Sequence, residues 1–214
     1  MARPKDLTVR PRLLDAADRL LSRIGFRRMT IAQVAEEAGV GKGSVYLHFP
    51  SKDEVALACI DRMAEDVLAH LRIIAAGSGS APERLSDALR ARVLMRFDYA
   101  REHANSIDEK LAAMRQPMLE RRAAQFRAEA SVLKVILAQG ANAGKLRPGG
   151  SAEAASLVTA TNSLLPYSLS VRELGRRSEI VRRTDSLVAL LLAGLRPTRT
   201  PGTRRKPHPR RTNR

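Results

Sequence analysis

The chain has 214 residues, one cysteine and a formal net charge of +16. That length can bury a core without staples, and the lone Cys59 excludes both an intramolecular disulfide and a metal site built on cysteine clusters. No apolar run approaches the roughly 18 residues that span a bilayer, and the start, MARPKDLTVRPR, lacks the apolar segment of a secretory signal, so a soluble cytoplasmic protein without a membrane partner is expected.

Residues 1–9 read as a loose basic arm. From Pro11 onward Leu13, Leu14, Ala17, Leu20, Leu21 and Ile24 follow helical spacing, and Gly25 supplies a left-handed stop. Thr30 is an N-cap for a short helix carrying Ile31, Val34, Ala35 and Ala38, which Gly39 breaks. Residues 42–49 form another short helix, closed by Pro50. The string Ser-x-x-Glu recurs at Ser51/Glu54, Ser80/Glu83 and Ser106/Glu109 and predicts three capping boxes. The helices they open carry Val55, Met63, Val67, Leu71 and Ile74, then Leu85, Leu89, Val93 and Phe97, then Leu111 and Met114.

Pro117 is expected to start a separate helix, from Met118 to about Gln139, ended by Gly140. Ser151 caps a helix reaching about Ser170, in which Pro166 should end or kink the run and free the carbonyl of Asn162. The last helix runs from about Ser178 to Ala193, stopped by Gly194 and Pro197. No period-2 pattern is evident, so the expectation is an all-α chain of about nine helices. Residues 10–50 form an N-terminal three-helix unit and 51–195 a larger C-terminal helical unit. Residues 196–214 hold eight bases and no acid, and with nothing apolar to dock them they are expected to be disordered. An excess of this kind favours a polyanionic partner, nucleic acid first and an anionic membrane surface second.

The window around Gly39 meets several independent requirements of a helix-turn-helix. Ala35 is small where the second helix crosses, Gly39 permits positive φ four residues later, and Val34, Ala38, Val40 and Val45 fall where the helices pack. At about 100° per residue, Val45 and Phe49 share the buried side of the second helix. Gly43, Ser44 and Leu47 then lie opposite, with Tyr46 and His48 on the flanks. Small residues at the centre and hydrogen-bonding tips at the edges suit a helix in a major groove, where the centre meets base edges and the flanks meet phosphates. Lys42 adds charge at the helix start, Leu47 can meet a thymine methyl, and Lys52 sets a cation beside the free amides of the next helix. The DNA-contacting set is therefore Thr30, Lys42, Gly43, Ser44, Tyr46, Leu47, His48 and Lys52.

The stretch TIAQVAEEAGVGKGSVYLHFPSKDEV resembles the DNA-binding segment of TetR-family bacterial regulators, over roughly residues 10–60. Thr30, Ala38-Gly39-Val40, Gly43-Ser44, Tyr46-Leu47-His48-Phe49 and Ser51-Lys52-Asp53 carry the pattern, and Gly41 departs from it where Ser or Thr is usual. The resemblance implies a homodimer on double-stranded DNA at an approximately palindromic operator, released by a small-molecule effector. It also implies an effector site among the C-terminal helices and a dimer interface on the last two.

For the effector site, Met63, Val67, Leu94, Phe97, Met114, Met118, Phe126, Asn162 and Tyr167 are the candidates, Met being suited to an adaptable wall. For the interface they are Leu157, Leu164, Ile180, Thr184, Leu187, Val188 and Leu191, part of an apolar stripe wider than a monomer's surface helix needs. No metal or cofactor is expected. His70 and His103 have no second ligand at useful spacing, and no phosphate loop, nucleophile constellation or carboxylate pair suggests an enzyme. The rival reading is a ligand-independent architectural DNA-binding protein.

Overall fold

The computed structural model describes residues 8–165 and 175–197, the side chains of 105–115 excepted, and these residues form eight helices and no strand. Helix α1 (Val9–Arg28) buries Leu13, Leu14, Ala17, Leu20 and Leu21 as their spacing requires, and its backbone breaks at Gly25, with φ 83°. The Thr30 cap opens α2 (Ile31–Glu37), and α3 (Lys42–His48) follows after the Gly39 turn. Helix α4 (Lys52–Ala76) starts at Ser51, whose hydroxyl accepts from the Glu54 N–H at 3.1 Å. Helix α5 (Ala81–Glu102) has the full reciprocal box of Ser80 and Glu83. Then come α6 (Ala104–Asn142), α7 (Ser151–Asn162) and α8 (Arg177–Gly194).

Several expected boundaries move. Pro117 does not start a helix: it lies inside α6, a single element of 39 residues, so eight helices stand where about nine were expected. A proline forfeits one N–H bond and crowds the preceding turn. Burial on both sides keeps the two halves in line, because Met118 packs on the N-terminal core and Phe126, Leu133, Ile136 and Leu137 on the C-terminal one. Ser106 accordingly lies within α6, which begins after His103.

Gly140 does not end the helix either. A Cβ there would stand 2.5 Å from Leu146 Cδ1, so the glycine admits Leu146, and the left-handed turn falls on Gly144 at φ +63°. Gly150, not Ser151, is the N-cap of α7, and its N–H donates to the Glu153 carboxylate at 2.7 Å. Helix α7 stops at Asn162, whose carbonyl accepts from the Leu165 N–H at 3.0 Å and is not free. Pro166, Tyr167, residues 1–7 and the tail from 198 onward lie outside the described residues.

One apolar core joins α1, α2 and α3 to Val55, Ala56, Leu57, Ala58 and Cys59 of α4, so it continues past the expected boundary at residue 50. A second core is built from the rest of α4 with α5, α6, α7 and α8. A smaller cluster joins Val93 and Phe97 to Leu164 and Ile180. Helix α4 is thus common to the two main cores, and α6 reaches both through Met118 and Phe126.

Candidate nucleic-acid interface

The α2–α3 turn is held by three local devices. Gly39 takes φ +64°, a region that disfavours a side chain, and the Val40 N–H donates to the Ala35 carbonyl at 2.9 Å. Arg12 of α1 donates to the Ala38 carbonyl at 2.6 Å. Arg19 and Arg23, also on α1, reach Glu37 at 3.0 and 3.1 Å and hold its carboxyl below the usual range, chiefly by the Arg19 hydrogen bond. Helix α1 therefore fixes both the end of α2 and the turn into α3.

Val45 and Phe49 are buried, which fixes the rotation of α3. On the remaining surface, Lys42 and Gly43 are exposed, Tyr46 and Leu47 are 50% and 47% exposed, and Ser44 and His48 are half-buried. A Cβ built at Gly41 or Gly43 would meet nothing within 4 Å, so the front of the helix is open. Thr30, at the start of α2, is exposed; its Oγ accepts from the Gln33 N–H at 3.2 Å, and the Gln33 side-chain oxygen accepts from the Thr30 N–H at 2.9 Å.

Lys52 also has a partner within the chain. Its ammonium donates to the Phe26 carbonyl at 3.1 Å and lies 4.4 Å from the centre of the Phe26 ring. The carbonyl-rich end of α1 attracts a cation, so Lys52 ties α4 to α1. Arg10 stands 5.4 Å over the Phe49 ring, a cation beside the end of α3 that motif reading did not single out. Its signal in the sequence was only its place among the bases preceding the motif.

Among the described residues, the expected effector residues fall in several parts of the helical body. Met63 and Val67 line a cleft of about 560 Å³ between α1, α4 and α5, with Met95 and Tyr99, but its walls also carry Asp15, Asp18 and Asp98. Leu94 and Phe97 belong to the small cluster beside Leu164 and Ile180, and Met118 packs on the N-terminal core. Phe126 lies among the C-terminal core residues, and Asn162 is half-buried at the end of α7. Eight residues of helix separate Met118 from Phe126, about 12 Å along α6. The Met114 side chain and Tyr167 lie outside the described residues. Sequence reasoning also passed over a buried polar group, Arg92, Glu129 and Thr161. Arg92 and Arg96 continue the 85–89 spacing of α5, where apolar residues would be expected.

The expected interface set is largely interior to one chain. Ile180, Thr184 and Val188 are buried, as are Leu157 and Leu164, while Leu187 and Leu191 are half-buried. The wide stripe on α8 divides in two because α5 and α7 cover its inner half. The outer half presents Leu190, 72% exposed, with Ser186, Ala189 and Ala193. Beside it, α7 presents Ala152, Ala155, Ser156 and Thr159, and a groove of about 410 Å³ runs between the two helices.

Among the described residues no helix is long and apolar enough to cross a membrane, and no group of three or more His, Cys, Asp or Glu is placed to hold a metal ion. The fold and the exposed α3 define a helix-turn-helix protein with an all-helical C-terminal body. Residues 13–59 match the family model of bacterial regulatory proteins, tetR family. The HTH-type transcriptional regulator TtgR of Pseudomonas putida is 39% identical over 56 residues, which are 26% of this chain and 27% of that protein.

Two solved structures share the fold over most of the chain. A transcriptional regulator from Cytophaga hutchinsonii superposes with a TM-score of 0.71 at 16% identity, over 86% of this chain and 97% of the other. The regulator FadR from Bacillus subtilis, in complex with stearoyl-CoA, gives a TM-score of 0.58 at 17% identity, over 86% and 98%. Over residues 13–59 the chain is thus similar to the tetR family of bacterial regulatory proteins, and its helical fold is that of these solved structures.

Proposed function

We propose that this protein is a homodimeric, sequence-specific DNA-binding regulator of transcription that leaves an approximately palindromic operator when a small molecule binds its C-terminal helices. The observation that carries the reading is the front of α3. Gly41 and Gly43 leave it open, Lys42 charges its start, and Tyr46 and Leu47 project from it, while Val45 and Phe49 anchor its back. A face of that shape can approach base edges while its flanks meet phosphates.

We take residues 10–59 as the DNA-binding unit, since one core spans them, and the remaining helices to residue 195 as the effector and dimerisation unit. The outer faces of α7 and α8 are the proposed dimer surface. The bound stearoyl-CoA in the Bacillus subtilis neighbour supports a ligand-holding role for this body. The proposed site of action is the cytoplasm, as a repressor.

An electrophoretic mobility shift on the DNA upstream of the protein's own gene, repeated with a metabolite panel, tests the reading. A sequence-specific shift abolished by one compound is expected. Equal binding to any duplex, unaffected by every compound, would instead favour a ligand-independent architectural protein, a reading that the net charge of +16 also supports.

A further inference from the structure

Arg92 of α5 is 1% exposed, and among the described residues Glu129 is the one carboxylate paired with it. Its Nε donates to Glu129 of α6 at 2.5 Å, and one terminal nitrogen, Nη1, donates to the Thr161 hydroxyl of α7 at 2.8 Å. The other terminal nitrogen, Nη2, is buried without a hydrogen-bond partner. Arg96, one turn along α5 and nearly buried, takes the second oxygen of Glu129 and donates to the Arg92 carbonyl at 3.0 Å. Among the described residues, two guanidinium groups therefore share a single carboxylate, which leaves one positive charge unmatched there.

A third guanidinium stands close by. Arg122 lies 4.6 Å from the centre of the Phe126 ring, and Arg92 lies 4.8 Å from the same ring. Burial first, with Arg96 and Arg122 behind it, outweighs the pull of Glu129 and pushes the Arg92 pKa down to about 10. The group still carries its charge at neutral pH. An unmatched buried cation with an idle donor is costly unless something anionic meets it.

We propose that the effector is an organic monoanion with an apolar body, its carboxylate accepting from the idle nitrogen of Arg92 beside Arg96, where α5, α6 and α7 meet. This deepens, and rests on, the reading of the chain as a ligand-responsive regulator. A monoanion neutralises the single surplus charge, and a planar carboxylate matches a guanidinium edge. The apolar body follows from the surroundings, since the Arg92 guanidinium lies over the Phe126 ring, which packs on the C-terminal core. The three helices contributing Arg92, Glu129 and Thr161 would all register its arrival.

The test uses the full-length protein and matched probes: straight-chain carboxylates from hexanoate to stearate, with benzoate and naphthoate, each set against its primary amide and its amine. Thermal melting and operator release are read separately. At least one carboxylate should raise Tm and release the operator, and its amide and amine should do neither. Arg92→Met should keep the fold, because Glu129 retains Arg96 and the Thr161 hydroxyl still donates to the Leu157 carbonyl at 2.7 Å. It should lose affinity for the active carboxylate by roughly tenfold or more, the effect of removing a charged hydrogen bond. Arg92→Lys, which keeps the charge without the second terminal nitrogen, should fall between.

No response to any carboxylate, an equal response to the amide, or an unchanged response in Arg92→Met would overturn the proposal. So would a ligand-free Tm for Arg92→Met lowered by more than about 4 °C, which would assign Arg92 to the fold alone. The melting arm needs no DNA, so failure to find an operator would sink the regulator reading without being confused with any of these results.

Discussion

Arg121 of α6 donates to Asp61 of α4 at 2.5 Å and, through its other terminal nitrogen, to Glu54 at 2.8 Å. Glu54 sits in the first turn of α4, immediately after the α3 segment, and Met118, one turn before Arg121, packs on the core that carries α3. The same helix carries Glu129 and Phe126 in the C-terminal body. Arg121 and Met118 therefore tie α6 to the start of α4 and to the core that carries α3.

Arg121→Met should weaken the link while sparing the fold. The ion pairs are partly exposed, so stability should fall by about 1 kcal/mol or less. The concentration of releasing compound needed to free half the operator should rise several-fold, with operator affinity in its absence little changed. A release curve superimposable on that of the wild type would show that α6 does not carry the signal through this contact.

Tyr46→Phe removes a hydroxyl from the flank of α3 and should weaken binding to operator variants nearly uniformly, by about 1 kcal/mol. Ser44→Ala and Leu47→Ala, at the centre of the face, should change which bases are preferred. Binding to a randomised operator library separates the two patterns. Reordered base preference in Tyr46→Phe, with none in the other two, would mean that α3 meets DNA at a different rotation.

Leu190→Arg combined with Ala155→Arg should give a folded monomer by sedimentation, with operator binding much reduced. Both positions face solvent, so the single chain loses no core contact. Val188→Arg should behave differently and unfold the chain, since it forces a charge into a buried site. A double variant that still sediments as a dimer would move the interface elsewhere.

Gly140→Ala should cost about 1–3 kcal/mol, the usual range for overpacking. The new methyl would stand 2.5 and 2.8 Å from Leu146 side-chain carbons and 3.0 Å from Ala81 Cβ. Chemical denaturation measures the loss, and the second substitution Leu146→Ala should recover part of it.

Asp18 of α1 lies 3.2 Å from His103, 3.3 Å from the Tyr99 hydroxyl and 3.7 Å from Arg62. Burial pushes its carboxyl up, but the hydrogen bond and charge of His103, with Arg62 and Tyr99, outweigh this and hold it below its ordinary value. A depressed carboxylate contributes stability that is fully present above its unfolded pKa of about 3.9 and is lost as pH falls through the lower folded value. Asp18→Asn should therefore be the less stable protein at neutral pH, and the gap should close below about pH 4. A gap independent of pH would show that the charge of Asp18 contributes nothing.

The segment from Thr30 to Phe49 was legible in the sequence because the signals that mark its elements are local, although contacts from α1 also hold it. A cap reaches three residues, the Gly39 turn joins adjacent helices, and the rotation of α3 follows from Val45 and Phe49, four residues apart on one side. Only tertiary contact decided the rest. Pro117 carries a local stop signal, yet burial of Met118 on one core and Phe126 on another overrides it. The α8 stripe reads as one apolar face, and only the packing of α5 and α7 separates its buried half, Ile180, Thr184 and Val188, from the outward Leu190. The contact of Lys52 with the carbonyl end of α1, 26 residues earlier, is likewise set by packing and not by its place in the motif. Arg92 meets Glu129 and Thr161 across separations of 37 and 69 residues. No periodicity encodes such a meeting, because the partners are chosen by how α5, α6 and α7 pack and not by spacing along any one of them.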